Sequence, residues 1–400
     1  MSSSPNTSES IRPTNPIAFH AVTLATFFGA SSAPTPLYRF YQENFAASPV
    51  EMTVIFAVYA FALLAALLIA GSVSDHLGRK PVIFGALIIE MAAMALFFLA
   101  DGTGWLIAAR IVQGLATGVA GASLGAALVD VDHARGQLVN SLAPLIGLAV
   151  GALGTSALIQ YGPLPLHLVY GLLFAGFLIQ AAAIWLIPET GARRHGALSS
   201  LIPRVAIPPR AKRPLALVTP VNIANWALGG FYLSLVPAMI ASTTGNTAPL
   251  TGGAVVAALM AAGAAGVYLR RARRPQANLT FGVLSTTAGM LTVVTGIHLT
   301  LVPVLALGTL LTGMGFGTSF LATLGSVMPL AKADERAGLL SAIYIQSYLA
   351  FSLPAILAGF LAKALGYQFT TDIYAAAIIG VSLLGLAANR TASEREPSIA

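Results

Sequence analysis

Two ionisable side chains of this 400-residue chain lie far inside apolar stretches. Glu90 sits in the middle of PVIFGALIIEMAAMALFFLA (81–100), and Arg110 in GWLIAARIVQGLATG (104–118). A charge withdrawn from water into such a setting is costly, and it is kept where it faces a partner or an aqueous path. A carboxyl there is a candidate proton carrier, and a guanidinium a candidate counter-charge or solute anchor, so Glu90 and Arg110 are the candidates for proton coupling. A structural Glu90, bonded to a neighbouring helix, and an Arg110 that snorkels to the headgroups are the alternatives. A second set of residues is neutral and aromatic: Tyr38, Tyr59, Gln113, Asn222, Asn225, Trp226, Tyr232, Tyr344, Gln346 and Tyr348. With Arg110 it has the chemistry of holding a small, partly apolar organic molecule, although each member alone is better explained by packing. Transformation of a bound molecule is disfavoured. No nucleophile, base and orienter occur together, and no nucleotide loop is present. With no cysteine and six scattered histidines, no metal site and no cofactor are expected.

The elements that position these residues follow from composition. Charged residues make up 9 % of the chain and hydrophobic ones 56 %, against about 25 % and 45–50 % in soluble domains. A mean hydropathy of +0.81 marks a polytopic membrane protein. Twelve apolar runs of spanning length are expected, at 16–39, 50–73, 81–100, 104–129, 138–161, 165–187, 214–241, 250–269, 278–299, 301–327, 338–362 and 370–389. Residues 130–137 read as a loop. SSAPTP (31–36) should break the first span, since its two prolines interrupt the hydrogen-bond ladder. Residues 1–15 and 391–400 read as polar tails, and 189–213, rich in Pro, Arg and Gly, as a linker between an amino-terminal bundle (16–188) and a carboxy-terminal one (214–390).

Positive charge orients the chain. Of the 21 lysines and arginines, from Arg12 to Arg395, only Arg39, Arg110 and Lys363 fall outside the segments on one face. Both termini are therefore expected in the cytoplasm. The net charge of +7 is explained by this asymmetry. Attraction to anionic membrane lipid accounts for the basic linker better than nucleic acid does, because no aromatic residues interleave with its charges.

Between the second and third spans lies GSVSDHLGRKP (71–81). Gly71 would let helices approach, Asp75 would accept from N–H groups at a helix start, and Gly78 would make a sharp turn. Arg79 and Lys80 add positive charge, and Pro81 opens the next helix. This loop resembles the signature loop of the major facilitator superfamily of secondary transporters. Arg110-x-x-Gln113-Gly114 is similar to a motif of the fourth helix of that family. Gly114 and Gly118 there, and Gly147, Gly151 and Gly154 in the fifth span, are expected to pack helices closely. The latter three resemble the glycine-rich motif of drug:proton antiporters, except that Ala152 stands where that motif has a proline. The halves resemble degenerate repeats, with Arg273-Arg274-Pro275 matching Arg79-Lys80-Pro81 and Thr309 matching Arg110.

The resemblance implies an all-α membrane fold of twelve helices in two pseudo-symmetric six-helix bundles. It implies a monomer in the inner membrane that works by alternating access. Arg79 would reach Asp75 or Asp130 in a latch at the inner gate. The function implied is proton-coupled efflux of a drug or metabolite. A proton symporter importing a sugar-like or weakly anionic solute is the alternative, and a non-transporting receptor is disfavoured because no sensory domain is attached. Glu90 and Arg110, roughly 15 Å and 9 Å from the same membrane face at about 1.5 Å per residue, are expected to interact.

Overall fold

A computed structural model describes residues 15–332 and 334–394, and every regular element among them is a helix. Arg12 and Arg395 lie outside the described residues, as do most of both tails. Local chemistry explains where the first helices start. Helix α1 (Pro16–Ser32) is capped by Asn15, whose side chain accepts from the Ala18 N–H, and Pro16 takes its first turn. Helix α3 (Pro49–Ala70) opens with a reciprocal box in which Ser48 and Glu51 each accept the other's backbone N–H. Between them α2 (Tyr38–Phe45) continues α1 through a single 3-10 turn, Thr35–Leu37. The helix thus breaks at SSAPTP as expected, but the first span runs on to Phe45 rather than ending at Arg39.

A short helix α4 (Ser74–Leu77) precedes α5 (Arg79–Phe98), α6 (Thr103–Val131), α7 (His133–Tyr161) and α8 (Leu168–Ala183). The loop expected over 130–137 shrinks to Asp132. Its carboxylate accepts from the Arg135 N–H at 2.9 Å and caps α7, so the charged residues beyond it are already helical. One residue, not the whole charged stretch, separates the two helices. The remaining helices are α9 (Pro209–Ser234), α10 (Val236–Thr244), α11 (Pro249–Arg270), α12 (Pro275–His298), α13 (Val302–Val327), α14 (Arg336–Leu365) and α15 (Tyr367–Glu394). The single helix expected over 214–241 is bent by 63° between α9 and α10, where Pro237 has no N–H to give the preceding turn. Among the described residues eleven helices are long and apolar enough to cross a membrane, twelve when this bent pair counts as one span. The chain is a multi-pass membrane protein.

Small residues set the packing of the helices that carry the site. A Cβ on Gly114 would lie 2.3 Å from the Tyr59 carbonyl oxygen and one on Gly118 2.6 Å from that of Leu63, so α6 lies directly on α3. Likewise α7 lies on α1 through Gly147 and Gly151, whose Cβ atoms would fall 2.2 Å and 2.1 Å from the carbonyls of Ala25 and Gly29. Gly154 departs from the expected stripe. Nothing lies within 4 Å of its Cβ position. Gly71 also departs: the atom its Cβ would crowd is the Leu67 oxygen of its own turn, not a neighbouring helix.

Helix α3 also packs on α14, and α7 on α11. A Cβ on Gly359 would lie 2.3 Å from Thr53 Oγ1, and one on Gly253 1.8 Å from Ser156 Oγ. Thr35 donates to the Leu233 carbonyl at 2.8 Å, the carbonyl that Pro237 leaves without a helical donor, and the Leu250 N–H donates to Gln160 at 3.2 Å. All of these contacts lie at the end of the bundle opposite the Gly71–Pro81 loop, so the helices close there.

Candidate functional site

Arg110 is 1 % exposed and Glu90 0 %. Pro34 has no N–H to offer the carbonyl of Ala30, four residues back, and the broken turn also leaves that of Ser31 open. Side chains from α6 take both: Gln113 Nε2 donates to Ala30 O at 3.0 Å, and Arg110 Nη1 to Ser31 O at 2.9 Å. Arg110 Nε reaches Ile55 O of α3 at 3.3 Å, and the guanidinium lies 4.3 Å from the centre of the Tyr59 ring. The expected contact between Glu90 and Arg110 is indirect. Gln113 stands between them, accepting from Arg110 Nη1 at 2.7 Å and donating to Glu90 Oε1 at 3.2 Å. Glu90 Oε2, also buried, has no hydrogen-bond partner among the described residues.

Across the bundle, α9 and α14 bring together most of the other residues singled out from the sequence. Asn222 donates to Ser347 Oγ at 2.8 Å, and Thr219 Oγ1 donates to Gln346 Oε1 at 3.0 Å. The Trp226 ring lies 5.0 Å from that of Tyr348, which in turn lies 6.1 Å from Tyr344. Tyr232 stands apart, its hydroxyl 3.2 Å from Thr309, the residue that the internal repeat sets opposite Arg110. Sequence reasoning missed the backbone carbonyls of Ala30, Ser31 and Ile55 as ligands of the α6 side chains. Pro34 held the signal for Ala30, whose carbonyl lies four residues before it; Ser31 and Ile55 had none.

In the loop, Gly78 adopts φ +94°, a conformation that glycine alone takes without strain. Arg79 pairs with both carboxylates, with Asp130 through Nε at 2.9 Å and with Asp75 through Nη1, and also donates to Ser74. Lys80 Nζ reaches the Trp185 carbonyl at 3.3 Å. Asp75 does not cap a helix. The carboxylate over the start of α5 is Glu189, which accepts the N–H groups of Arg79 at 2.8 Å and Lys80 at 3.0 Å. Asp75 is held by Arg79 on the preceding turn, whereas Glu189 arrives from beyond α8 directly over the helix end.

Partial burial of Glu189 opposes its ionisation, but the N–H groups of Gly191, Arg79, Lys80 and Thr190 outweigh it and hold the carboxyl below its usual range. Its stabilisation is therefore complete above the unfolded-state pKa and is lost as pH falls through the lower, folded one. Glu189→Gln is expected to lower the melting temperature of the purified protein at neutral pH, by a margin that shrinks toward pH about 4. Thermal unfolding across that range tests this. A margin that does not change with pH would assign the effect to packing.

A profile of the Major Facilitator Superfamily matches residues 20–353. The chain belongs to this superfamily. Membership points to a transporter and not to an enzyme. The solved structure of the nucleoside transporter NupG matches with a TM-score of 0.71, and that of a point mutant of it with 0.73. Each match covers 94 % of this chain and 100 % of the other at 10 % identity, which shows the fold alone. Multidrug resistance protein MdtL of Klebsiella pneumoniae (strain 342) is 27 % identical over 176 residues, 40 % of this chain and 44 % of the relative. MdtL of Salmonella typhimurium is 28 % identical over 192 residues, 45 % and 48 % of the two chains. MdtL of Shewanella oneidensis is 30 % identical over 155 residues, 37 % and 38 %. The chain thus spans less than half the length of the curated relatives it matches.

Proposed function

We propose that this transporter exports small, partly apolar organic molecules in exchange for protons. It does so by alternating access between the halves 16–188 and 214–390, joined by the linker 189–213. The observation that carries this reading is the buried chain Arg110–Gln113–Glu90, a cation and a carboxyl joined by one amide inside the membrane. A carboxyl there binds or releases a proton only if a path to water opens, and the amide couples that event to the cation. The MdtL relatives are named multidrug resistance proteins, which supports export of drugs or drug-like molecules as the direction and class. Arg79, held between Asp75 and Asp130 within the first half, braces the loop of the inner gate, which would latch the halves when the loop side closes. The cavity residues are Arg110, Gln113, Tyr38, Tyr59, Asn222, Asn225, Trp226, Tyr344, Gln346 and Tyr348, with Tyr232 at their edge.

Inverted vesicles with a proton gradient, followed by a pH-sensitive dye, test the exchange. Addition of a transported compound is expected to dissipate the gradient. If compounds that bind the purified protein all leave the gradient intact, exchange is ruled out. One observation favours a second reading, symport of a weakly anionic solute: no carboxylate among the described residues pairs directly with Arg110. Accumulation inside right-side-out vesicles would identify that mode.

The protein sits in this reading as a monomer in the inner membrane, with both termini and the linker in the cytoplasm beside anionic lipid. Reporter fusions within 189–213 are expected to report the cytoplasm, and one after Gly102 the outside. An outside signal from the linker would overturn the orientation.

A further inference from the structure

Asn225 is 3 % exposed, and among the described residues neither its Oδ1 nor its Nδ2 has a hydrogen-bond partner. Buried polar groups are nearly always partnered, so an amide with both ends open is an exception that needs a cause. It has neighbours in the same condition. Asn222, one turn earlier on α9, is fixed by its bond from Nδ2 to Ser347, which leaves Oδ1 as an acceptor with nothing to accept. The Trp226 indole N–H and the Gln346 Nε2 are buried donors without acceptors. These groups therefore offer two acceptors, Asn222 Oδ1 and Asn225 Oδ1, and three donors, from Asn225, Trp226 and Gln346.

The carboxy-terminal helices around this place bring no charge to it. No charged residue follows Arg213 on α9, none lies between Arg336 and Lys363 on α14, and none lies between residues 249 and 269 or 302 and 327 on α11 and α13. Beside the open amide the Trp226 ring packs with Tyr348 at 5.0 Å and Phe351 at 5.8 Å. An amide side chain presents a donor and an acceptor side by side in one plane. Its complement is the same arrangement reversed, a C=O next to an N–H on one edge, which a cis-amide in a ring supplies. The aromatic wall adds a preference for a flat ring.

We infer that the α9–α14 side of the cavity recognises flat, neutral molecules bearing a lactam-type edge, read by Asn225 with two parallel hydrogen bonds and stacked beside Trp226. This rests on the reading of the protein as an exporter with a central cavity, and it narrows the substrate to a chemical class. Asn222 and Gln346 would take further polar groups on the same ring.

The experiment uses the full chain carrying Trp105→Phe and Trp185→Phe, so that Trp226 is the only fluorescent indole. The probes are 2-quinolinone, which has the edge, and N-methyl-2-quinolinone, which keeps the ring and carbonyl but lacks the N–H. Saturable quenching by 2-quinolinone is expected, with the N-methyl compound at least about tenfold weaker. Asn225→Leu should remove the difference between them. The comparison of two ligands on one protein does not depend on how well a variant folds. Equal binding of the two, discrimination that survives Asn225→Leu, or no saturable quenching by 2-quinolinone would each overturn the inference; the first and last are what amides satisfied by water alone would give. Quenching is read at equilibrium without a gradient. Binding with the expected discrimination but without proton release in vesicles would leave this inference standing and remove proton exchange instead.

Discussion

Arg110→Ala is expected to reduce transport to the level of empty vesicles and to weaken substrate binding, with Arg110→Lys recovering little of either. The guanidinium joins three helices. Nη1 gives to Ser31 of α1 and to Gln113 on its own helix, Nε gives to Ile55 of α3, and the flat face covers Tyr59. Alanine leaves a backbone carbonyl on α1 and one side-chain acceptor without their donor, in a place where water does not substitute freely. Each unmet buried polar group costs about 1–3 kcal/mol. Lysine restores the charge but not the fork, since one ammonium cannot reach α1 and α3 in fixed directions while lying flat on a ring. Transport and binding by purified variants in proteoliposomes are the measurements, with gel filtration confirming the fold. A folded Arg110→Ala protein that transports as the parent does would remove Arg110 from the site.

Most of the fold was legible because a membrane imposes one strong rule: about 20 apolar residues per span, closed by polar turns. That rule placed each helix within a few residues except where another signal competed. At 130–137 the charges suggest a loop, yet Asp132 alone breaks the helix there and caps the next one. At Leu235 the apolar run gave no warning of a bend, although Pro237 in the same run held the cause. The Arg79 pairs were legible as types and spacing, but Glu189 was not, because it lies 110 residues from the N–H it caps. The link between Glu90 and Arg110 shows what helical rise leaves out. Arg110 is roughly 6 Å nearer its end of the membrane than Glu90, and Gln113, three residues deeper at about 1.5 Å each, closes most of that offset. The side chain at the right height made the contact. Backbone acceptors carry no residue-type signal of their own: Ala30 O is found by asking which carbonyl Pro34 leaves without its helical donor, and Ser31 O and Ile55 O are not found even so.

Glu90→Gln is expected to abolish proton-driven accumulation while leaving substrate binding within about twofold of the parent. The substitution preserves shape, and its amide oxygen still accepts from Gln113 Nε2, so the chain to Arg110 and to the broken turn of α1 stays joined. What is lost is the proton. In the parent the carboxyl changes between an acceptor-only group and one that also donates, and Gln113 feels that change directly. Its amide is the one group that touches Glu90, Arg110 and the Ala30 carbonyl together, so protonation at Glu90 alters what holds the broken helix in place. A glutamine at 90 freezes that signal in one state. One proton moving down a gradient of one pH unit supports about tenfold accumulation of a neutral solute. The parent should approach that ratio and Glu90→Gln should stop at equal concentrations, while counterflow of labelled solute without a gradient continues. The contrast with Arg110→Ala, which loses binding and counterflow together, separates a coupling group from an anchoring one. If Glu90→Gln accumulates solute as the parent does, the proton is carried elsewhere, and Glu90 is a structural group whose one bonded oxygen serves only to hold Gln113.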